Sequence, residues 1–137
     1  MVRKIKTILK QIIYYPKLVL EETDYDEYWK NKRGSNLGFP NSWQKQRGDW
    51  IVDRIEKGST ILDVGCGDGG VILYMKEKKF FNAIGVDISD VCLNFLDSKG
   101  VKVIKFDIND FNSIENLPEV DYVMILEVLE HMPNPEK

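Results

Sequence analysis

The sequence predicts an α/β fold, a parallel sheet wound by helices on both faces, and two observations carry that expectation. From Thr60 onward, short apolar runs of strand length alternate with segments of helical length, so the chain reads strand, helix, strand and then repeats. The punctuation agrees: Ser89 stands where a helix cap belongs, and Gly58 and Gly100 stand where helices end. With 137 residues, 43% of them apolar and 30% charged, the chain reads as one soluble globular domain rather than a disordered or fibrous one. A net charge of -3, from 19 basic and 22 acidic residues, excludes an overall basic field for nucleic acid, so any such contact needs a local patch.

The opening segment repeats Ile5, Ile8, Leu9, Ile12 and Ile13 at helical spacing, and Arg3, Lys4, Lys6 and Lys10 charge it without one acid before the break at Pro16. A basic amphipathic helix follows from that pattern. Its apolar face either packs on the domain or a second subunit, or lies on an anionic membrane surface through residues 2–15. Charge then inverts: Glu21, Glu22, Asp24, Asp26 and Glu27 interleave with Tyr25, Tyr28 and Trp29, which predicts a lid element or a helix whose aromatic edge covers a cleft. Residues 31–41, with Gly34, Gly38 and Pro40, read as a loop. Asn41 or Ser42 caps the next helix, which places Trp43, Trp50, Ile51 and Ile55 on one side and ends at Gly58. Residues 1–58 thus form an N-terminal helical extension to a core spanning 59–137.

In the core, strands are expected over Thr60–Val64, Asn82–Asp87, Val101–Phe106 and Tyr122–Leu126, with helices over about 68–79 and after Ser89. In the second helix Cys92, Phe95 and Leu96 face inward. Asn134 and Pro135 announce a further helix, so the fourth strand is expected to stand as a bare edge and the chain to be part of a longer protein. Apolar runs such as Tyr122–Leu126 have strand length and cannot span a bilayer. No alanine precedes Ala83 to make a small-residue cleavage site, and Cys66 and Cys92 are too few for a disulfide framework. The expected setting is the reducing cytoplasm, with membrane association left to the opening helix.

The first strand runs into Gly65, Gly67 and Gly70 at G-x-G-x-x-G spacing, a Rossmann-like loop that lets a ligand approach the main chain. Asp87 closes the second strand about twenty residues on, where a carboxylate accepts hydrogen bonds from both hydroxyls of a ribose. Both features fit a dinucleotide equally well. Asp63 and Asp68, however, set negative charge where a diphosphate would lie, and they suit a ligand carrying an ammonium and a sulfonium. The run Asp63, Gly65, Gly67, Gly69, in D-x-G-x-G-x-G form, resembles the first motif of the class I S-adenosylmethionine-dependent methyltransferases. The runs GVDIS at 85–89, KFDIND at 105–110 and DYVMILEVLEHM at 121–132 resemble that family's second, third and fourth motifs.

The resemblance covers about the last eighty residues. It is greatest to small-molecule methyltransferases of the ubiquinone-biosynthesis and methyltransferase-11 type, and the GCGDGG loop is similar to the MetW-like branch. It implies the first four strands of a seven-stranded sheet, S-adenosylmethionine as cofactor with S-adenosylhomocysteine as product, and a small-molecule or lipid- or sugar-linked acceptor. It implies cofactor contacts from Asp63, Gly65, Cys66, Gly67, Asp68, Gly69, Asp87, Ile88, Asp107, Ile108 and Glu127. Among these Asp87 would hold the ribose, Asp107 and the Ile108 backbone the adenine, and Asp63 the amino-acid end.

His131, the one histidine, falls beyond the fourth strand, where it either acts as general base on a hydroxyl acceptor or only hydrogen-bonds within its loop. A third reading joins it to Glu127 and Glu130 as E-x-x-E-H, which resembles the metal-coordinating run of some O-methyltransferases. Cys66 has no partner for nucleophilic chemistry and reads as a small loop residue. Tyr25, Tyr28, Trp29 and Trp43 are either packing residues or an aromatic wall for a cationic group. Two rival functions stand beside methyl transfer: an NAD-dependent oxidoreductase, and a non-catalytic domain that binds cofactor or a partner through its exposed fourth strand.

Overall fold

A computed structural model of the chain describes residues 23–132. The basic opening helix and the helix start at Asn134 and Pro135 lie outside the described residues. Within them the order is α1 (Tyr25–Arg33), α2 (Ser42–Val52), β1 (Thr60–Val64), α3 (Gly70–Lys78), β2 (Asn82–Asp87), α4 (Asp90–Ser98), β3 (Lys102–Lys105), a 3-10 segment (Phe111–Asn116), β4 (Tyr122–Ile125) and a 3-10 turn (Leu129–His131).

The four strands are all parallel and lie side by side in the order β3-β2-β1-β4. The chain steps from β1 to β2 to β3 in one direction, and right-handed crossovers then put α3 and α4 on the same face. There Val71, Ile72 and Met75 of α3 and Leu96 of α4 form one core with Ile61 and Ala83. The return from β3 across β1 to β4 reverses direction and carries the connection to the other face, where Leu117 and Val120 pack on Leu62, Val64, Ile84 and Val86. The result is a Rossmann-like α/β sheet with its direction change between β1 and β4.

Local chemistry explains the element ends. Asp24 caps α1 by accepting from the N–H groups of Asp26 and Glu27, and Lys30, Lys32 and Arg33 fill its last turn, where the helix dipole favours cations. The helix therefore runs into the segment expected to be loop, to Arg33. Asn41 and Gln44 form a reciprocal capping box at the start of α2. That helix ends at Val52 rather than near Gly58, and the expected apolar side holds in part: Ile51 and Ile55 pack on the core as expected, but the two tryptophans do not. Gly48, Ile51 and Val52 face inward, whereas Trp43 and Trp50, seven positions apart and so on one face, are 69% and 60% exposed. Gly48 explains the choice: a Cβ there would lie 2.9 Å from the Tyr74 ring, so the smallest residue marks the contact face. Trp50 instead stacks beneath the Arg54 guanidinium, 3.8 Å from the ring centroid.

Among the described residues β4 is an edge strand, and Val123 and Ile125 are 59% and 45% exposed on the face opposite α3. No helix among the described residues is long and apolar enough to cross a membrane.

Candidate functional site

Open α/β sheets bind ligands at the carboxyl ends of their strands, beside the point where strand order reverses. Here a cleft of about 420 Å³ opens at that point, between the ends of β1 and β4. Gly65, Cys66, Gly67 and Asp68 after β1, Asp87 and Ile88 after β2, Asp107 and Ile108 after β3, and Glu127, Glu130 and His131 after β4 all line it, whereas Gly69, expected to contact the ligand, lies behind them against Leu96. Tyr25, Tyr28 and Trp29 of α1 form an opposite wall. Trp43 is absent from this wall and points to solvent, because it occupies the outer face of α2.

The loop is built by left-handed glycines and anchored by its own N–H groups. Gly65, Gly67 and Gly69 have φ of 72°, 51° and 69°. The N–H groups of Gly65 and Cys66 both donate to the carbonyl of Val86, at 2.7 and 3.0 Å. Gly67 donates to Asp87 Oδ2 at 2.8 Å, Gly69 to the Cys66 carbonyl at 3.0 Å, and Gly70 to Asp68 Oδ1 at 3.3 Å. Asp87 also accepts from Ser89 N at 2.9 Å through its other oxygen, and since each carboxylate oxygen accepts twice, both keep capacity for hydroxyl donors.

Asp63 sits at the floor of the cleft, 4% exposed, with no hydrogen-bond partner among the described residues. Burial first, and then the charge of Asp87, push its carboxyl up to about 8. A cationic ligand group would pull it back toward ionisation. In the ligand-free protein the sign is fixed: unfolded Asp63 has released its proton above about pH 4, whereas the folded form keeps it until about pH 8. Stability therefore falls between those values and levels off above them. Asp63→Asn, which retains the shape and removes the titration, is expected to raise the thermal midpoint of the ligand-free protein at pH 8.5 by about 5 °C or more. At pH 4 the two proteins should melt within about 2 °C. Parallel pH profiles in a series of melts would refute this account.

Asp68, expected to face the ligand as a free charge, is 2% exposed and engaged by the protein itself. Arg33 Nε lies 3.1 Å from Oδ2 as an ion pair, and Oδ2 accepts a hydrogen bond from Gly38 N at 3.3 Å. It lines the cleft but serves as the clasp between the loop and the end of α1. A second clasp lies at the other end of the helix, where Asp26 Oδ1 accepts from Ser89 Oγ at 2.6 Å and Val91 N at 3.1 Å, bonds that hold its carboxyl below the usual range. Between the two, Trp29 packs over the loop so closely that a Cβ on Gly67 would be 2.5 Å from its ring. The Lys32 ammonium stands 4.8 Å from the Tyr28 ring centroid and 5.4 Å from that of Trp29.

Cys66 is half-buried against the α3 core, and burial followed by Asp63 and Asp87 raises its thiol, so it is not a poised nucleophile. Asp107 is exposed at the rim, its Oδ1 accepting from the backbone and side-chain nitrogens of Asn109 at 2.9 and 3.1 Å. Glu127, the only described non-glycine residue with positive φ, at 56°, places its Oε1 2.7 Å from Arg47 Nη1 of α2. Glu130 and His131 are exposed on the following turn. Glu127, Glu130 and His131 do not assemble a metal site: among the described residues no group of three or more potential ligands is so arranged.

Two residues of this site carry no local signature in the sequence. Arg33 and Arg47 are ordinary basic residues of exposed helices until the fold brings them to Asp68 and Glu127.

This sheet order, the left-handed loop and a carboxylate at the end of each of the first three strands together define a class I S-adenosylmethionine-dependent methyltransferase domain. The family model described as Methionine biosynthesis protein MetW matches residues 46–137, and the chain belongs to that family. It is 33% identical over 89 residues to (S)-tetrahydroprotoberberine N-methyltransferase of Eschscholzia californica, covering 59% of this chain and 25% of that protein. It is 39% identical over 93 residues to ubiquinone biosynthesis O-methyltransferase of Dechloromonas aromatica (strain RCB), covering 64% of this chain and 40% of the other. The crystal structure of coclaurine N-methyltransferase bound to N-methylheliamine and SAH shares the fold with a TM-score of 0.57, at 23% identity, over 77% of this chain and 37% of that one. The chain thus spans from a quarter to two fifths of the length of these curated relatives.

Proposed function

We propose that the chain binds S-adenosylmethionine in the cleft between β1 and β4 and that the protein transfers its methyl group to a small-molecule or lipid- or sugar-linked acceptor. The observation that carries this reading is Asp63, a buried carboxyl without a protein partner at the floor of a cleft whose loop approaches the ligand through glycines. Such a group fits the ammonium of the methionine end. Asp87 fits the ribose hydroxyls, and the exposed Asp107 with the Ile108 backbone fits the adenine rim. Arg47, the guanidinium among the cleft residues, fits the methionine carboxylate. Two structures of the same fold that hold S-adenosylhomocysteine support this assignment.

The cofactor, when bound, supplies an electrophilic methyl carbon on a sulfonium. The chain's part is orientation and exclusion of water: the loop fixes the amino-acid end, and α1 covers it with Trp29 and Tyr28. His131 takes the proton from a hydroxyl acceptor as its lone pair attacks in line. Residues 1–58 serve in this reading as an extension over the 59–137 core. Free Cys66 and Cys92 support a reducing, cytoplasmic setting, and the basic residues 2–15 a peripheral contact with anionic lipid.

Calorimetric titration with S-adenosylhomocysteine, with NADH as comparison, tests the reading. Micromolar binding of the first and none of the second is expected. Binding of NADH alone by a cooperatively folded chain would replace the reading with that of an oxidoreductase, and transfer of label from methyl-labelled cofactor to an acceptor would extend it to turnover.

A further inference from the structure

Glu127 combines two features that stability alone does not explain. Its backbone holds a left-handed conformation that a side chain with a Cβ adopts only against a penalty, and such strain concentrates where function needs it. Its carboxylate meets Arg47 at 2.7 Å, and both residues line the cleft. The pair is also half-exposed, at 39% for Arg47 and 56% for Glu127, so water screens it and it exchanges partners readily.

We propose that Glu127 is an internal stand-in for the carboxylate of the cofactor's methionine end. The inference rests on the reading above that Arg47 receives that carboxylate. In the ligand-free protein the Arg47 guanidinium is paired with Glu127. When the cofactor enters, its carboxylate takes the guanidinium, held there by the simultaneous contacts of Asp63 and Asp87, and Glu127 is released toward the acceptor side of the cleft. Arg47 keeps a carboxylate in both states, so its charge is never left bare, and the strained turn after β4 is free to move only once the amino-acid end has docked. Binding of the cofactor thereby prepares the acceptor side, and the two ligands are coupled through one exchange of ion pairs.

The exchange predicts a selective effect, read by titrating S-adenosylhomocysteine and 5′-methylthioadenosine, which lacks the amino-acid end. Glu127→Gln removes the competitor and is expected to tighten S-adenosylhomocysteine about two- to fivefold, with 5′-methylthioadenosine unchanged. Glu127→Gly, which also relieves the left-handed strain, should tighten it at least as much. Arg47→Gln should weaken S-adenosylhomocysteine about tenfold or more, leave 5′-methylthioadenosine unchanged, and give the same affinity when combined with Glu127→Gln. If Arg47→Gln weakens S-adenosylhomocysteine but neither Glu127 variant tightens it, the stand-in is overturned and the cofactor site stands. If Arg47→Gln has no effect, the placement of the carboxylate fails and the stand-in fails with it. A Glu127 effect of equal size on both ligands would mean a general loosening of the cleft and would also overturn the proposal.

Discussion

Asp87→Ala is expected to lower affinity for S-adenosylhomocysteine by about 100-fold or more. Two ribose hydroxyls donating to a carboxylate make charge-assisted hydrogen bonds of about 1.5–3 kcal/mol each, so losing both removes at least two orders of magnitude. The same carboxylate also fixes its surroundings, since Gly67 N donates to one oxygen and Ser89 N to the other. Asp87→Asn separates the two contributions. It keeps one acceptor oxygen in place but turns an amide toward either the Gly67 N–H or the Ser89 N–H, so it should fall between wild type and alanine. Calorimetry measures the affinity, and a thermal melt of each variant shows whether the fold persists. Affinity within threefold of wild type in a folded Asp87→Ala protein would remove Asp87 from the cofactor site.

Gly69→Ala should be the most damaging small substitution in the loop. With φ at 69°, alanine pays about 1 kcal/mol for the left-handed region alone. Its Cβ would also lie 2.1 Å from Leu96 Cδ2, and Leu96 is fully buried beneath the loop, so either the loop or α4 must shift. Overpacking of this kind costs a further 1–3 kcal/mol, for a total of about 2–4 kcal/mol. Gly58→Ala is the matched control, because its φ is 84° but nothing lies within 4 Å of the new Cβ. Urea unfolding of the two variants should therefore differ by roughly the steric part, about 1–3 kcal/mol. Equal losses in both would mean that the conformation, not the contact with Leu96, dictates glycine at position 69.

Much of this fold is legible before any coordinates, and the reason is local. The bounds of β1 and β2 match the apolar runs residue for residue, and Asn41 and Ser89 cap the helices they precede, because strand period and cap chemistry are written in a few adjacent residues. The Trp43 and Trp50 pair misleads for an equally physical reason. Large aromatic side chains weigh heavily in any apolar pattern, yet the face of α2 that meets α3 is set by Gly48, whose signal is the lack of a side chain.

The site was legible in outline and not in its electrostatics. Asp63 and Asp68 read as two free charges that repel a diphosphate. In the folded protein Asp68 is tied to Arg33, and Asp63 is held protonated at neutral pH by burial. Both modifiers come from tertiary structure: one is a helix far away in sequence, and the other is the depth of the cleft. Arg47 escapes sequence reading for the same cause, being eighty positions from its partner Glu127.

The anchoring of the glycine loop has a consequence for what it will accept. A loop that cradles phosphate must present free N–H groups, and a helix start adds more. In this loop the N–H groups of Gly65, Cys66, Gly67, Gly69 and Gly70 are all engaged by internal acceptors, two of them carboxylates. Its glycines offer a ligand close approach with their own donors already engaged, a surface of contact for a neutral sugar and a cationic chain more than a nest for an anion. Selection against nucleotides bearing a pyrophosphate is then expected to begin in the anchoring of the loop itself, which the Asp68 and Asp87 carboxylates complete.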